Sequence, residues 1–351
     1  MIFRRKRDEG QSAGATTVAE PEPAPIDALE AELGLPAAID RLVETNARER
    51  SPELDRRILA LRHRYGIELL KAGTAGTGRP QPDPTGLNLV DGVPEIKPAE
   101  LTPELLRSAI LGHGCLLIRG LMEPASAAAF AEGIEGSFRD RTAIEAGEAP
   151  GDPLYESFVP EPPYTVEHRG WIAEGGGVLA CDSPKLMFDM LRSFRDSGLT
   201  DVIETYLGET PVVSAEKCTL RKADPSVTGA WHQDGKFMGP VNAMNIWVSL
   251  SRCGDVAPGL DLIPKRFDDY VENGTREAKM PNQVPQSVAD EVAAGVGIVR
   301  PVFEPGDVML FDEMFLHQTG SEPSMPNPRY AIESWFFGPS AFPGGYLPIV
   351  V

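Results

Sequence analysis

The sequence is poor in the groups that mark several common classes of protein. Its four cysteines, Cys115, Cys181, Cys218 and Cys253, are widely spread and include no CxxC pair. That argues against a zinc knuckle or a disulfide framework and fits a reducing, cytoplasmic setting. No run approaches the ~18 apolar residues of a membrane span. The basic cluster Arg4, Arg5, Lys6 and Arg7 leads into a polar, acidic stretch rather than the apolar core of a signal peptide. There is no Walker loop, no dinucleotide-binding glycine fingerprint and no internal repeat. Positive charge is scarce too: 33 basic residues face 52 acidic ones, a net charge of -19. Residues 1–80 hold 13 of each sign, so residues 81–351 carry the whole excess, 20 basic against 39 acidic. Such a surface repels polyanions, so neither nucleic acid nor an anionic membrane is expected as a partner.

Turn-forming residues, by contrast, are plentiful. With 35 glycines, 33 prolines and an ordinary apolar fraction of 42% among 351 residues, the composition favours a β-rich core over a helical bundle. Residues 1–25 are polar, contain proline and lack periodicity, and read as a disordered tail. Residues 26–72 read as a helical extension: one helix over Asp27 to Glu44, and a second after Ser51-Pro52-Glu53, a serine cap followed by proline in the first turn. In the second, Leu54, Ile58, Leu61, Tyr65 and Leu69 form one apolar face. It needs a partner surface, either the main domain or a second copy, which makes a homo-oligomer through these helices a candidate arrangement. Residues 73–97, glycine- and proline-rich at their start, read as a linker.

Residues 98–345 read as the main domain. A short helix opens at Thr102-Pro103-Glu104, a buried strand follows at Cys115 to Arg119, and an alanine-rich helix begins at Pro124. Residues 139–183 look like an inserted loop region, and a single helix is expected from Lys185 to Tyr206. Short β-like runs then alternate with turns: Val212 to Arg221, Ala243 to Leu250, Leu260 to Ile263, Asp307 to Phe311 and Arg329 to Phe337. The expected fold class is mainly β with flanking helices, built on a sandwich or barrel.

The chemistry concentrates in Trp231-His232-Gln233-Asp234-Gly235. On an extended strand, residues i and i+2 point to the same side, so His232 and Asp234 can grip one ion together. An imidazole and a carboxylate supply two ligands of the facial triad of non-haem Fe(II) oxygenases, which keeps three positions open. His317 is the only histidine after Asp234, lying 83 residues on (317 − 234), behind the turn and strand of Glu304 to Phe311. It completes the set as a metal ligand. Twelve residues later, Arg329 opens a core-like strand, where an arginine is costly unless its forked guanidinium meets a carboxylate.

Together with His113 to Leu121, Asn245-Ile246-Trp247-Val248-Ser249-Leu250, Gly259 to Pro264 and Pro305-Gly306-Asp307, these motifs give a sequence that resembles the phytanoyl-CoA dioxygenase family over about residues 98–338. The resemblance implies a double-stranded β-helix, a cupin-like jelly roll. It implies iron bound by His232, Asp234 and His317, and 2-oxoglutarate and O2 as co-substrates. It further implies that Arg329 holds the distal carboxylate of 2-oxoglutarate, that Thr319 also contacts it, that Trp247 lines the same pocket, and that a further contact comes from the strand near Cys218 to Arg221. The activity implied is hydroxylation of a C–H bond of a small organic metabolite with release of succinate and CO2. Halogenating relatives lack the carboxylate that Asp234 provides. The usual Pro-Gly-Ser-His turn is replaced by Pro264-Lys265-Arg266-Phe267. The competing readings are a catalytically silent jelly roll that binds a metal or small ligand, and a hydroxylase acting on a protein partner. His63 and His113 read as structural or exposed, Asp312 and Glu313 as turn residues, Trp231 as packing, and His168 as a residue that the insertion could fold over the site.

Overall fold

A computed structural model describes residues 31, 33–73, 76–226 and 229–351; the expected tail and the start of the first expected helix lie outside them. Helix α1 (Leu35–Arg48) leads into α2 (Pro52–Ala72). The Ser51 hydroxyl accepts from the Leu54 amide at 3.1 Å, and α2 ends where Gly73 takes up a left-handed conformation (φ 60°). The apolar face of α2, with Ile58, Leu59 and Leu61 buried, lies on the chain's own C-terminal segment. Arg62 Nη1 donates to the Val350 carbonyl, and His63 Nδ1 to that of Pro348, both at 2.8 Å. Leu54, Tyr65 and Leu69 of that face are partly buried against the same core.

The strands that follow are β1 (Asn88–Val90), β2 (Val93–Ile96), β3 (Cys115–Ile118), β4 (Gly177–Leu179), β5 (Val212–Ala223), β6 (Ala243–Ser249), β7 (Gly259–Leu262), β8 (Val308–Phe311), β9 (His317–Gly320), β10 (Arg329–Phe337) and β11 (Pro348–Val350). Interspersed are α3 (Pro103–His113), α4 (Pro124–Glu145), α5 (Arg169–Glu174), α6 (Pro184–Asp196), α7 (Leu199–Leu207), α8 (Gly235–Met238) and α9 (Gln286–Val292). The large sheet runs β1-β2-β3-β8-β6-β10-β5-β11, with β4 also on β5. Opposite it, β7 pairs with β9, and this small sheet is widened by single bridges, Leu262 to Val299 on one side and His232 to His317 on the other. From β5 to β10 the chain alternates between the two sheets. The result is a double-stranded β-helix whose sheets face one another without closing into a barrel.

Strand alternation builds two cores from the same residues. On β10, Ile332 and Phe336 face the helices and pack with Leu186 and Phe194, whereas Ala331, Trp335 and Phe337 face the small sheet and pack with Leu260 and Leu262. Three expectations are corrected. The linker 73–97 contains β1 and β2, which join the large sheet; β1 is exposed throughout and too short for a readable alternation. The helix over Lys185 to Tyr206 is two helices, broken where Gly198 adopts φ 75°. The 139–183 region is loop only in part, since α4 runs on to Glu145 and α5 and β4 fall within it. Among the described residues, no helix is long and apolar enough to cross a membrane.

The Pro305-Gly306-Asp307 turn locks β8 to its surroundings. Asp307 Oδ2 accepts from Arg119 Nη1 at 2.7 Å and from the Glu304 amide at 3.0 Å, while Oδ1 accepts from the Gly120 amide at 2.8 Å. Gly306 has φ 96°, and a Cβ there would lie 1.9 Å from the Met122 carbonyl oxygen. Gly306→Ala is therefore expected to lower stability by roughly 2–4 kcal/mol, read as a shift of the urea midpoint at constant slope. A shift within error would mean that the turn relaxes freely.

Candidate metal centre and cavity

His232 and His317 are brought together by a two-residue antiparallel bridge: each backbone amide donates to the other's carbonyl, at 3.0 and 3.2 Å. Their rings lie 4.5 Å apart between centroids. In each, Nδ1 faces a backbone carbonyl two residues earlier, Ala230 at 2.7 Å and Phe315 at 3.1 Å. That contact fixes the proton on Nδ1 and leaves Nε2 as the free donor atom. Both Nε2 atoms lie 3.8 Å from Asp234 Oδ2. Phe311 and Phe315 flank the His317 ring at 4.6 and 5.8 Å. Burial, and then the neighbouring His232, pull the His317 pKa down to about 4, so the ring is neutral and ready to ligate.

Asp234 is not on a strand, as the sequence suggested; it has helical dihedrals and begins the single turn α8. Its carboxylate still reaches the histidines, and the Gly235 amide ties the turn to the Glu313 carbonyl at 2.9 Å. A Cβ at Gly235 would lie 2.8 Å from the Tyr270 hydroxyl and 2.9 Å from Glu313 Cγ, so a larger residue would have to displace both side chains. Between the two ligands, Gln233 turns the other way: its Nε2 donates to the Met314 carbonyl and its Oε1 accepts from the Val271 amide, both at 2.8 Å. Asp234 Oδ2 is buried with no hydrogen-bond partner among the described residues. An orphaned carboxylate oxygen facing two imidazole nitrogens fits a divalent metal, and the mixed N/O set is that of a facial Fe(II) triad.

A cavity of about 160 Å³ opens on this triad and is also lined by Trp247, Thr319 and Arg329. All six residues singled out in the sequence thus border one space. Arg329 is 5% exposed. Its Nη1 donates to the Gly259 carbonyl at 3.0 Å, its guanidinium carbon lies 5.5 Å from the Trp247 ring centroid, and its Nε has no partner. Burial lowers its pKa, and it forms no ion pair with any described residue. A buried cation left in that state calls for an anionic ligand.

Sequence reasoning missed Lys217 and Glu333 on the same wall and left Thr219 and Arg221 unplaced within the stretch Cys218 to Arg221. On β5, Lys217, Thr219 and Arg221 line the cavity, and on β10 so does Glu333. The register, which sequence left open for the stretch Cys218 to Arg221, sets Thr219 opposite Glu333 and Arg221 opposite Ala331. Arg221 Nη2 pairs with Glu333 at 3.2 Å. Burial opposes ionisation of Glu333, but Arg221, Lys217 and the two histidines hold its carboxyl below the ordinary value. The i, i+2 spacing of 217, 219 and 221 marks one face of a strand but not what that face meets. Trp171, 60% exposed, and Phe237 stand at the open side. The α5 turn that carries Trp171 is tied down by Arg169, whose Nε and Nη2 donate to the two oxygens of Asp182 at 2.7 and 2.8 Å.

The other candidates fall outside the cavity lining. His63 docks the helical extension, His113 ends α3, and His168 packs its ring against Tyr346. Trp231 is a core residue whose Nε1 donates to Gln286 Oε1 at 2.9 Å. The four cysteines are free and buried.

No protein-family model matches the chain, and no curated protein does so. Among solved structures, the chain is similar to EctD from S. alaskensis with 2-oxoglutarate and 5-hydroxyectoine, at 20% identity over 76% of this chain and 84% of that one, with a TM-score of 0.49. The same protein with bound Fe gives 19% identity and 0.46. AviO1 from Streptomyces viridochromogenes Tue57 gives 16% identity over 68% of this chain and 96% of that one, with a TM-score of 0.43. The reading of the site rests on its own geometry.

Two outcomes follow from that geometry. The purified chain should bind one Co(II) or Zn(II) per molecule in equilibrium dialysis. His317→Ala or Asp234→Ala should weaken binding by more than the ~10–100-fold that loss of an outer contact costs; unaltered stoichiometry and affinity in both variants would remove the triad as the site. The second concerns Glu313, in the turn that delivers His317. Burial, and after it the Asp312 carboxylate, push its pKa up to about 7, against ~4.3 in an unfolded chain. The folded state thus keeps a proton that the unfolded chain has already released. This contribution to stability is full below ~4.3 and is lost as pH rises through about 7. Glu313→Gln should therefore gain on the order of 1–3 kcal/mol over the parent near pH ~8 and little near pH ~4. Equal gains in urea unfolding at both would show that shape, not charge, is responsible.

Proposed function

We propose that the protein is an Fe(II)- and 2-oxoglutarate-dependent dioxygenase that hydroxylates a C–H bond of a small organic molecule, with release of succinate and CO2. The observation that carries this reading is the pairing, in one cavity, of an under-satisfied His232/Asp234/His317 triad with the unpaired, buried Arg329. A metal site alone fits many activities; a buried guanidinium across the same cavity adds a seat for a carboxylate. Thr319 and Trp247 border that seat. In the proposed roles, His232, Asp234 and His317 hold iron on one face and leave the other open. Arg329 binds the distal carboxylate of 2-oxoglutarate, Thr319 adds a hydroxyl contact, and Trp247 walls the pocket. Iron with 2-oxoglutarate and O2 supplies the oxidising chemistry, and the protein's share is placement and exclusion of water. The Arg221–Glu333 pair keeps the metal side of the cavity charged and ordered, and Phe237 beside His232 limits entry to one side. The resemblance in sequence to phytanoyl-CoA dioxygenases points the same way, although the strongly acidic chain makes a CoA thioester a less favourable substrate. Four free thiols accord with a cytoplasmic enzyme.

Anaerobic addition of Fe(II) and 2-oxoglutarate should produce the visible charge-transfer absorption of the chelate, and admission of O2 should then yield succinate. Asp234→Ala should abolish both, and Arg329→Gln should raise the 2-oxoglutarate Kd at least ~30-fold, the equivalent of roughly 2 kcal/mol. A parent protein that binds metal yet shows neither signal would return the silent jelly roll as the better reading.

A further inference from the structure

Three cations reach the cavity from β5 and β10, and two of them have an assigned partner. Arg221 pairs with Glu333, and Arg329 sits where the proposed function puts the distal carboxylate of 2-oxoglutarate. Lys217 remains. Its ammonium lies 4.1 Å from the Phe237 ring centroid and 5.9 Å from that of Tyr346, and it makes no hydrogen bond or ion pair with any described residue. Lys217 is half-buried, and attraction to aromatic faces, ~0.5–2 kcal/mol, engages none of the ammonium's N–H donors in a hydrogen bond. In keeping with this, burial lowers its pKa in spite of the Asp234 and Glu333 carboxylates nearby.

Position distinguishes the anion that would complete it. The register sets Ala223 opposite Arg329 and Thr219 opposite Glu333, and Lys217 follows on β5 where the pairing with β10 shifts, beside Glu216, which also lines the cavity. Lys217 stands six residues from Ala223, about 20 Å along an extended strand. Glu333, whose charged neighbours include Lys217, His317 and His232, marks the level of the metal ligands between them. Arg329 and Lys217 thus lie on opposite sides of the Glu333 level, so the distal carboxylate that Arg329 holds is not the anion beside the ammonium.

We infer that Lys217 anchors a carboxylate of the primary substrate near the rim of the cavity, so that the substrate is a small organic acid; the inference rests on the oxygenase reading above. Phe237 beside the ammonium, and Trp171 elsewhere on the rim, offer apolar surface for the carbon skeleton. Lys217 lies beyond the Thr219–Glu333 level, on the side away from Arg329. The charged end is thereby held outward, and C–H bonds remote from the carboxylate face the triad.

The test uses the full chain and three acid–amide pairs: hexanoate and hexanamide, benzoate and benzamide, indole-3-acetate and its amide. Binding is followed calorimetrically with and without 2-oxoglutarate. At least one acid should bind at least ~tenfold more tightly than its amide. That preference should vanish in Lys217→Gln and Lys217→Met and persist in Lys217→Arg. The 2-oxoglutarate affinity should change less than ~threefold in Lys217→Gln, against the large loss in Arg329→Gln. No acid preference in the parent, a preference that survives both neutral substitutions, or a 2-oxoglutarate loss in Lys217→Gln matching that of Arg329→Gln would each overturn the proposal, the last by giving Lys217 to the co-substrate. Melting curves confirm that the variants fold, and Lys217→Met stands in if Lys217→Gln does not. Failure of the parent to bind 2-oxoglutarate would count against the oxygenase reading, whereas the acid–amide comparison without 2-oxoglutarate decides Lys217 separately.

Discussion

Two backbone hydrogen bonds, exchanged between His232 and His317, bring together ligands 85 residues apart in the chain (317 − 232). They cannot account for their own existence. Closing a loop of that length costs about 4 kcal/mol before any constant term, and each bond returns about 1 kcal/mol net. The balance comes from the residues beside the ligands. Trp231, Ile263 and Leu316 are buried in one cluster around the bridge, and burial of side chains of this size contributes ~1.5–3 kcal/mol each. The metal centre is therefore held by the apolar neighbours of its histidines. The sequence places a large apolar residue immediately before each ligand, Trp231 before His232 and Leu316 before His317.

Satisfaction of polar groups differs between residues that hold the turns of this interior and the charged residues that border the cavity. Asp307 has both oxygens occupied, by Arg119 and by two backbone amides, and Gln233 has both ends of its amide engaged. Asp234 Oδ2 and Arg329 Nε, equally buried, have no such partners. A native core tolerates orphaned charge poorly. Asp234 Oδ2 beside the two imidazoles matches a metal ion, and Arg329 Nε matches an anion; Glu216 Oε1, also without a partner, borders the same cavity. Stability alone gives no reason to keep them.

Much of this was legible in the sequence where local pattern carries it. Arg329 to Phe337 was read in full, since an aromatic- and aliphatic-rich run is bounded by Pro328 and Gly338, and the starts of α2 and α3 follow from Ser51-Pro52 and Thr102-Pro103. The ligand identities came from residue type and spacing. Their local conformation did not: three residues cannot distinguish a strand from a turn, and Asp234 proves to begin α8. The break at Gly198 was hidden because apolar spacing continues across it. Lys217 and Glu333 were invisible for a different reason. Their meeting depends on the register between β5 and β10, which includes a shift between Ser334 and Phe336, and register belongs to the sheet rather than to either strand.

The charge distribution poses a last question: how a chain of net charge -19 is to receive anions. Two distances resolve it. Carboxylates on the surface act through water, and their field decays over ~8 Å at physiological ionic strength. Lys217, Arg221 and Arg329 act inside a cavity from which water is partly excluded, where the same charge is felt several times more strongly. The surface therefore sets how readily large polyanions approach, and the cavity sets what small anions find once inside. Since Arg221 is already paired with Glu333, the discrimination falls to the two cations at the ends of the wall. On the readings proposed here, Arg329 selects the co-substrate and Lys217 the acid to be oxidised, with the triad held between them by the bridge that joins His232 to His317.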